Sequence, residues 1–181
     1  MPIPTSDRPF DRLAGELVAD QLAAEPTLGS TLGLTEYDEL LPDLSAAAIA
    51  ARDRSEDAWL ERFRALPEAD LDPDEQIDRD LVVMVLQGRA AKRDWADWRR
   101  SPDLYAGTAL SSVFGLLMYR LRPEPELAVA VAARLTATPR LLEQGIANLD
   151  PALAHPALVR RALGMAKAGA VYARAAAVAS R

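Results

Sequence analysis

A chain of 181 residues with net charge −6 and no Cys is long enough to bury roughly 70% of its unfolded surface without a staple, and it excludes disulfides and thiolate metal sites. The acidic balance argues against nucleic acid, whose recognition needs Lys and Arg massed on one face. Of the 21 basic residues only Lys92 and Lys167 are Lys, which beside so much Ala reads as the coding bias of a GC-rich genome. The opening MPIPTSDRPFDRL lacks the apolar run of a signal peptide, and no stretch approaches about 18 uncharged apolar residues. The expectation is therefore one domain over residues 1–181, cytoplasmic, with no membrane and no nucleic-acid partner.

Strand signals are nearly absent, and prolines mark where helices begin. The first helix is expected over about Asp7 to Ala24, with Phe10, Leu13, Leu17 and Val18 on one face. Pro26 suits the first position of a short second helix, and Gly33 can take the left-handed conformation that closes it. Ser45 is an N-cap for a helix over about Ala46 to Leu66. Asp72-Pro73-Asp74-Glu75 spells out a cap, a first-position proline and a boxed acid. The helix that follows is expected to reach Arg99. Its residues Ile77, Leu81, Met84, Gly88, Ala91, Trp95 and Trp98 alternate at four and three, a seam that packs along a neighbouring helix.

Ser101-Pro102 breaks that helix, and the next is expected over about Ala109 to Arg120. Pro123 and Pro139 each suit a helix start, giving helices over about Glu124 to Ala137 and Arg140 to Leu149. Asp150-Pro151 makes a turn, and the last helix runs from about Pro156 toward the end. Leu158, Met165 and Tyr172 lie seven apart on one side of it. Leu163, Ala166, Ala170, Ala173 and Ala177 form a small-residue face beside them. Either this is a frayed final helix, or it packs on something outside the chain. The fold class is all-α, about six or seven helices with a Pro/Gly-broken crossover after the first.

Reactive side chains are scarce. His155 is the lone histidine, so a nucleophile triad or a zinc site would have to use it, and its place before Pro156 suits a helix-flanking polar residue instead. Asp70, Asp72 and Asp74 imitate a calcium loop, but Glu75 stands where Gly is needed and Leu81 where the bidentate Glu belongs. Asp78 reads as a first-turn acid favoured by the helix dipole, with a buried ion pair to an arginine as the functional reading. Trp95, Trp98 and Tyr105 suit core and corner positions more than a ligand platform. No Gly-rich phosphate loop is present.

Several of these features occur in a known order. Pro26 to Gly33 is followed by Tyr37-Asp38, by Leu41 to Ser45, by Gln76-Ile77-Asp78 with Leu81, and by Trp98 through Pro102 to Tyr105. Together they resemble the N-terminal portion of the bacterial domain-of-unknown-function family 885, over about Phe10 to the final helix. Ser101 departs from the Asn or Asp expected before the proline. The resemblance implies relatives about three times as long, largely helical, similar to zinc metallopeptidases with HExxH in the later half. It carries no catalytic or metal-binding residue onto this chain, and zinc is implied only for those relatives.

The expected role is a helical scaffold that walls a substrate cleft and is not catalytic by itself, its partner being the missing catalytic half. The alternative is a stand-alone module that dimerises or binds a partner through its C-terminal helix. A third reading is a metal-free hydrolase centred on His155. In the crossover, Leu28, Leu32, Leu34, Leu40, Leu41 and Leu44 are expected to pin the chain to the core. That would hold Tyr37 and Asp38, with Tyr105 the candidate substrate-contacting residues, at a fixed place.

Overall fold

The structure, a computed structural model, describes residues 8–179, with side chains up to residue 171. Regular structure among the described residues is entirely helical, so the fold is all-α as the sequence implies. The helices are α1 (Pro9–Ala24), α2 (Pro26–Thr31), α3 (Ala46–Arg64), α4 (Pro73–Lys92), α5 (Asp97–Arg100), α6 (Pro102–Tyr119), α7 (Glu124–Asn148) and α8 (Pro156–Ala179). Short 3-10 turns lie at Thr35–Tyr37, Glu68–Asp70 and Arg93–Trp95. The chain divides into two compact units, one formed by the residues up to Ala24 with Ala47–Trp95, the other by Glu25–Ala46 with the residues from Ala96 on.

The first unit holds α1, α3 and α4 around an apolar core. Phe10, Leu13 and Leu17 of α1 meet Trp59, Leu60 and Phe63 of α3 and Leu86 of α4. Phe63 is fully buried, and Phe10 meets it edge to face at 6.1 Å between ring centroids. A buried ring of this kind stabilises by about 2–3 kcal/mol. Polar contacts frame the core. The Trp59 indole donates to Asp20 at 2.8 Å, and Arg93 reaches Asp57 at 2.6 Å and Glu56 at 3.2 Å. At the start of α4 the capping box forms as the sequence spells it. Asp72 accepts from the Asp74 and Glu75 amides, and Glu75 accepts from the Asp72 amide. Arg8 closes it against Asp72 and Glu75.

Two expectations for α4 change. It ends at Lys92 rather than near Arg99, because the chain tightens into the 3-10 turn and Ala96 takes a left-handed φ of 47°. The expected seam is not packed either. Val82, Val83 and Leu86 enter the core, while Ile77, Leu81, Met84 and Trp95 are 64%, 54%, 60% and 59% exposed. Asp78 is exposed too, so the buried acid at this end of the helix is Glu75.

In the second unit α6 packs against both α7 and α8, and α2 packs against α6. Pro26 opens α2 at its first turn, and Gly33 follows with φ 84°. Helix α6 begins at Pro102, seven residues before the expected start. Proline's fixed φ suits a helix's first turn, so the proline that stops one helix starts the next. Pro139 starts nothing: it lies inside α7. An interior proline leaves one carbonyl without its amide. Pro139 is exposed, so water can satisfy that carbonyl, while Ala130, Arg134, Leu141 and Gly145 stay buried on the other face. Leu158 and Met165 of α8 are half-buried and Ala162 is buried; the neighbouring Leu163, Ala166 and Ala170 are exposed. Tyr172, Ala173 and Ala177 lie outside the described side chains.

The leucines of the crossover do less than expected. Only Leu44 is buried, Leu41 and Leu34 are half-buried, and Leu28, Leu32 and Leu40 are exposed. Polar groups pin the segment instead. The Leu44 amide donates to Gln144 at 2.9 Å, and Asn148 donates to the Leu44 carbonyl at 2.7 Å. Asp43 accepts from Gln144 at 2.7 Å and pairs with Arg140 at 3.1 Å. A segment too short to bury much apolar area must satisfy its backbone groups with side chains.

Candidate functional site

In the second unit α2, the turn after it, α6 and the first half of α7 surround a cavity of about 460 Å³. That volume suits a small ligand. Its charged lining residues are Asp38, Arg122 and Arg134.

Arg134 is the structural centre. It stands on the buried face of α7 with Leu127, Ala130, Leu141 and Gly145, and is 1% exposed. One terminal nitrogen donates to the Ser112 carbonyl at 2.6 Å. The other donates to the Ser30 hydroxyl at 2.5 Å and the Tyr37 carbonyl at 3.2 Å. The guanidinium thus ties α2 and the following turn to α6. Its Nε is buried with no acceptor among the described residues. Burial pulls the Arg134 pKa below the ordinary guanidinium value, and Asp38 pushes it back up only in part. Hydrogen bonds to a charged group are worth about 1.5–3 kcal/mol each. Taking a guanidinium out of water costs several kcal/mol. The network offsets the burial, but it supplies no counter-charge.

Asp38 is buried and already engaged. The Arg122 Nε donates to its carboxylate at 2.8 Å. Arg122 also donates to the Thr35 carbonyl and lies 3.7 Å from Glu126. The lining therefore holds two cations and one anion, and the anion is matched to Arg122. The excess positive charge sits at Arg134.

The sequence's candidate residues fall in two places. Asp38 lines the cavity. Tyr37 adjoins the network through its carbonyl, while its ring lies over Gly29, where an added Cβ would come within 2.6 Å of it. Tyr105 belongs to a separate cluster with Leu44, Ala109 and Leu141. Its hydroxyl donates to the Trp98 carbonyl at 2.7 Å and accepts from Asn148 at 3.0 Å. Its ring covers Gly145, where an added Cβ would come within 2.6 Å. Burial raises the Tyr105 pKa, with Asn148 opposing. Trp95 is exposed and Trp98 half-buried. Sequence reasoning missed Arg134, Arg122, Ser30 and Ser112. One signal pointed to Arg134: it occupies a position where the spacing of Leu127, Ala130, Leu141 and Gly145 calls for an apolar residue.

Among the described residues no group of three or more His, Cys, Asp or Glu is placed to hold a metal ion. His155 is exposed, and its Nδ1 accepts from the Ala157 amide at 3.2 Å at the start of α8. Zinc of the kind the resemblance implies for longer relatives does not fit this donor set. Also among the described residues, no helix is long and apolar enough to cross a membrane.

The fold and site define an all-helical domain with a cation-floored cavity. The chain belongs to the family described as bacterial protein of unknown function (DUF885), whose model matches residues 26–180. No curated protein and no solved structure matches it.

Proposed function

We propose that this chain is a helical scaffold region of a metallopeptidase-like protein, not catalytic by itself, and that it supports and partly walls a cleft completed by another polypeptide segment. We take its two units as parts of one helical domain working in the reducing cytoplasm, a setting its lack of Cys suits. The observation that carries the reading is the row of large apolar side chains on α4 and the turn after it, with Ile77, Leu81 and Met84 of the helix and Trp95 of the turn each more than half exposed at a helix-packing spacing. Apolar rows of that kind mark a surface meant for a partner. The partner of this reading is the HExxH-bearing half that the family resemblance implies.

A second reading has its own observation. On α8, Leu163 and Val171 are 55% and 66% exposed, with the exposed Ala166 and Ala170 between them. Small residues let another helix approach closely, and a symmetric pair is the simplest occupant. Both readings are tested by sedimentation of the purified chain, alone and mixed with the separately produced HExxH-bearing portion of a longer family member. The scaffold reading expects a mixed complex that Ile77→Glu with Met84→Glu weakens by at least about tenfold. Self-association abolished by Leu163→Glu supports the second reading. A monomer that binds nothing contradicts both.

A further inference from the structure

The cavity of the second unit has a use that scaffolding does not require. Arg134 lines it at 1% exposure with no carboxylate within ion-pair distance among the described residues, and Arg122 is matched by Asp38. A buried cation compensated only in part is costly to keep in a core, and hydrophobic residues of similar volume would often be as stable or more so. Its Nε–H lacks an acceptor among the described residues. The Ser30 hydroxyl accepts from Arg134, which leaves its own proton to donate. Away from the cation the lining turns apolar, through Phe114, Met118 and Leu121, each at least half exposed. A buried positive floor beneath an exposed apolar rim matches a molecule with one negative end and one greasy end.

We propose that this cavity binds a small amphipathic carboxylate, its head group toward Arg134 and Ser30 and its tail along Phe114, Met118 and Leu121. A guanidinium recognises a carboxylate by charge and planar geometry together. The carboxylate can belong to an acyl chain or to the free end of an apolar peptide, since both offer the same head and a similar tail.

The test is isothermal titration calorimetry on the full chain with sodium octanoate, and in parallel with N-acetyl-leucyl-leucine. 1-Octanol and the corresponding dipeptide amide serve as uncharged controls. One saturable site is expected for at least one carboxylate, bound at least about tenfold more tightly than its neutral control. The tighter of the two names the source. Arg134→Gln is expected to remove that preference. Because Arg134 also ties three segments together, a second variant guards against misfolding. Gly115 lines the cavity, and a Cβ there meets nothing within 4 Å. Gly115→Leu therefore fills the space from a helix that tolerates it, and is expected to keep the melting temperature and weaken binding at least about tenfold. Equal affinity for the neutral controls, no saturable heat from either carboxylate, or undiminished binding by a folded Gly115→Leu overturns the proposal.

Discussion

At the scale of single residues, the rings of the two candidate tyrosines pack against helix backbone. Each ring lies over a helical glycine, Tyr37 over Gly29 and Tyr105 over Gly145. Tyr105→Phe leaves the Trp98 carbonyl and Asn148 without their hydroxyl partner and is expected to cost about 1–2 kcal/mol at pH 7, by denaturant melts. The pH profile separates the hydroxyl from the ring. The Tyr105 pKa is raised by burial, so its contribution is fully present below the unfolded value near 10 and is lost as pH rises through the folded one. The variant is expected to show a flatter alkaline limb. The acid limb runs the other way. The Ser45 backbone amide holds Asp43 below the ordinary carboxylate range, and the Glu75 amide does the same for Asp72. Their contributions are present above the unfolded carboxylate pKa and are lost as pH falls through the depressed values. The capping box was legible in the sequence because every partner lies within three residues. Arg134 was not, because Ser30 and Ser112 lie 104 and 22 residues away.

At the scale of elements, prolines located the helix starts at Pro26, Pro73 and Pro156, whereas Pro102, read only as a breaker, opens α6 seven residues before the expected start. The rule failed at Pro139, where packing on both sides of the residue carries α7 through a break that local preference alone favours. Likewise the α4 seam is a true periodicity whose face stays exposed, since spacing reports which residues share a side and not what covers it. The end of α4 was illegible because Ala96 supplies the left-handed turn without the glycine that usually signals it. A left-handed alanine costs roughly 1 kcal/mol. Ala96→Gly is therefore expected to stabilise by up to about 1 kcal/mol in chemical denaturation, less the added freedom of the unfolded chain. Destabilisation by that variant would mean that the turn is held by its alanine methyl rather than tolerated.

At the scale of the molecule, helix content and family were legible because they rest on composition, periodicity and ordered short motifs. The cavity was not, because its lining joins α2, α6 and α7 across about a hundred residues of chain. The chain's one histidine flanks the start of α8, and Asp72 and Glu75 are engaged in the cap of α4. The central claim, that reactive machinery lies outside this polypeptide, is tested most directly by dialysing the purified chain against excess Zn²⁺. Bound metal and hydrolysis of a mixed peptide substrate are then measured with and without a chelator. The account predicts no stoichiometric zinc and no chelator-sensitive cleavage. One tightly held zinc per chain with peptide turnover that the chelator abolishes would contradict it.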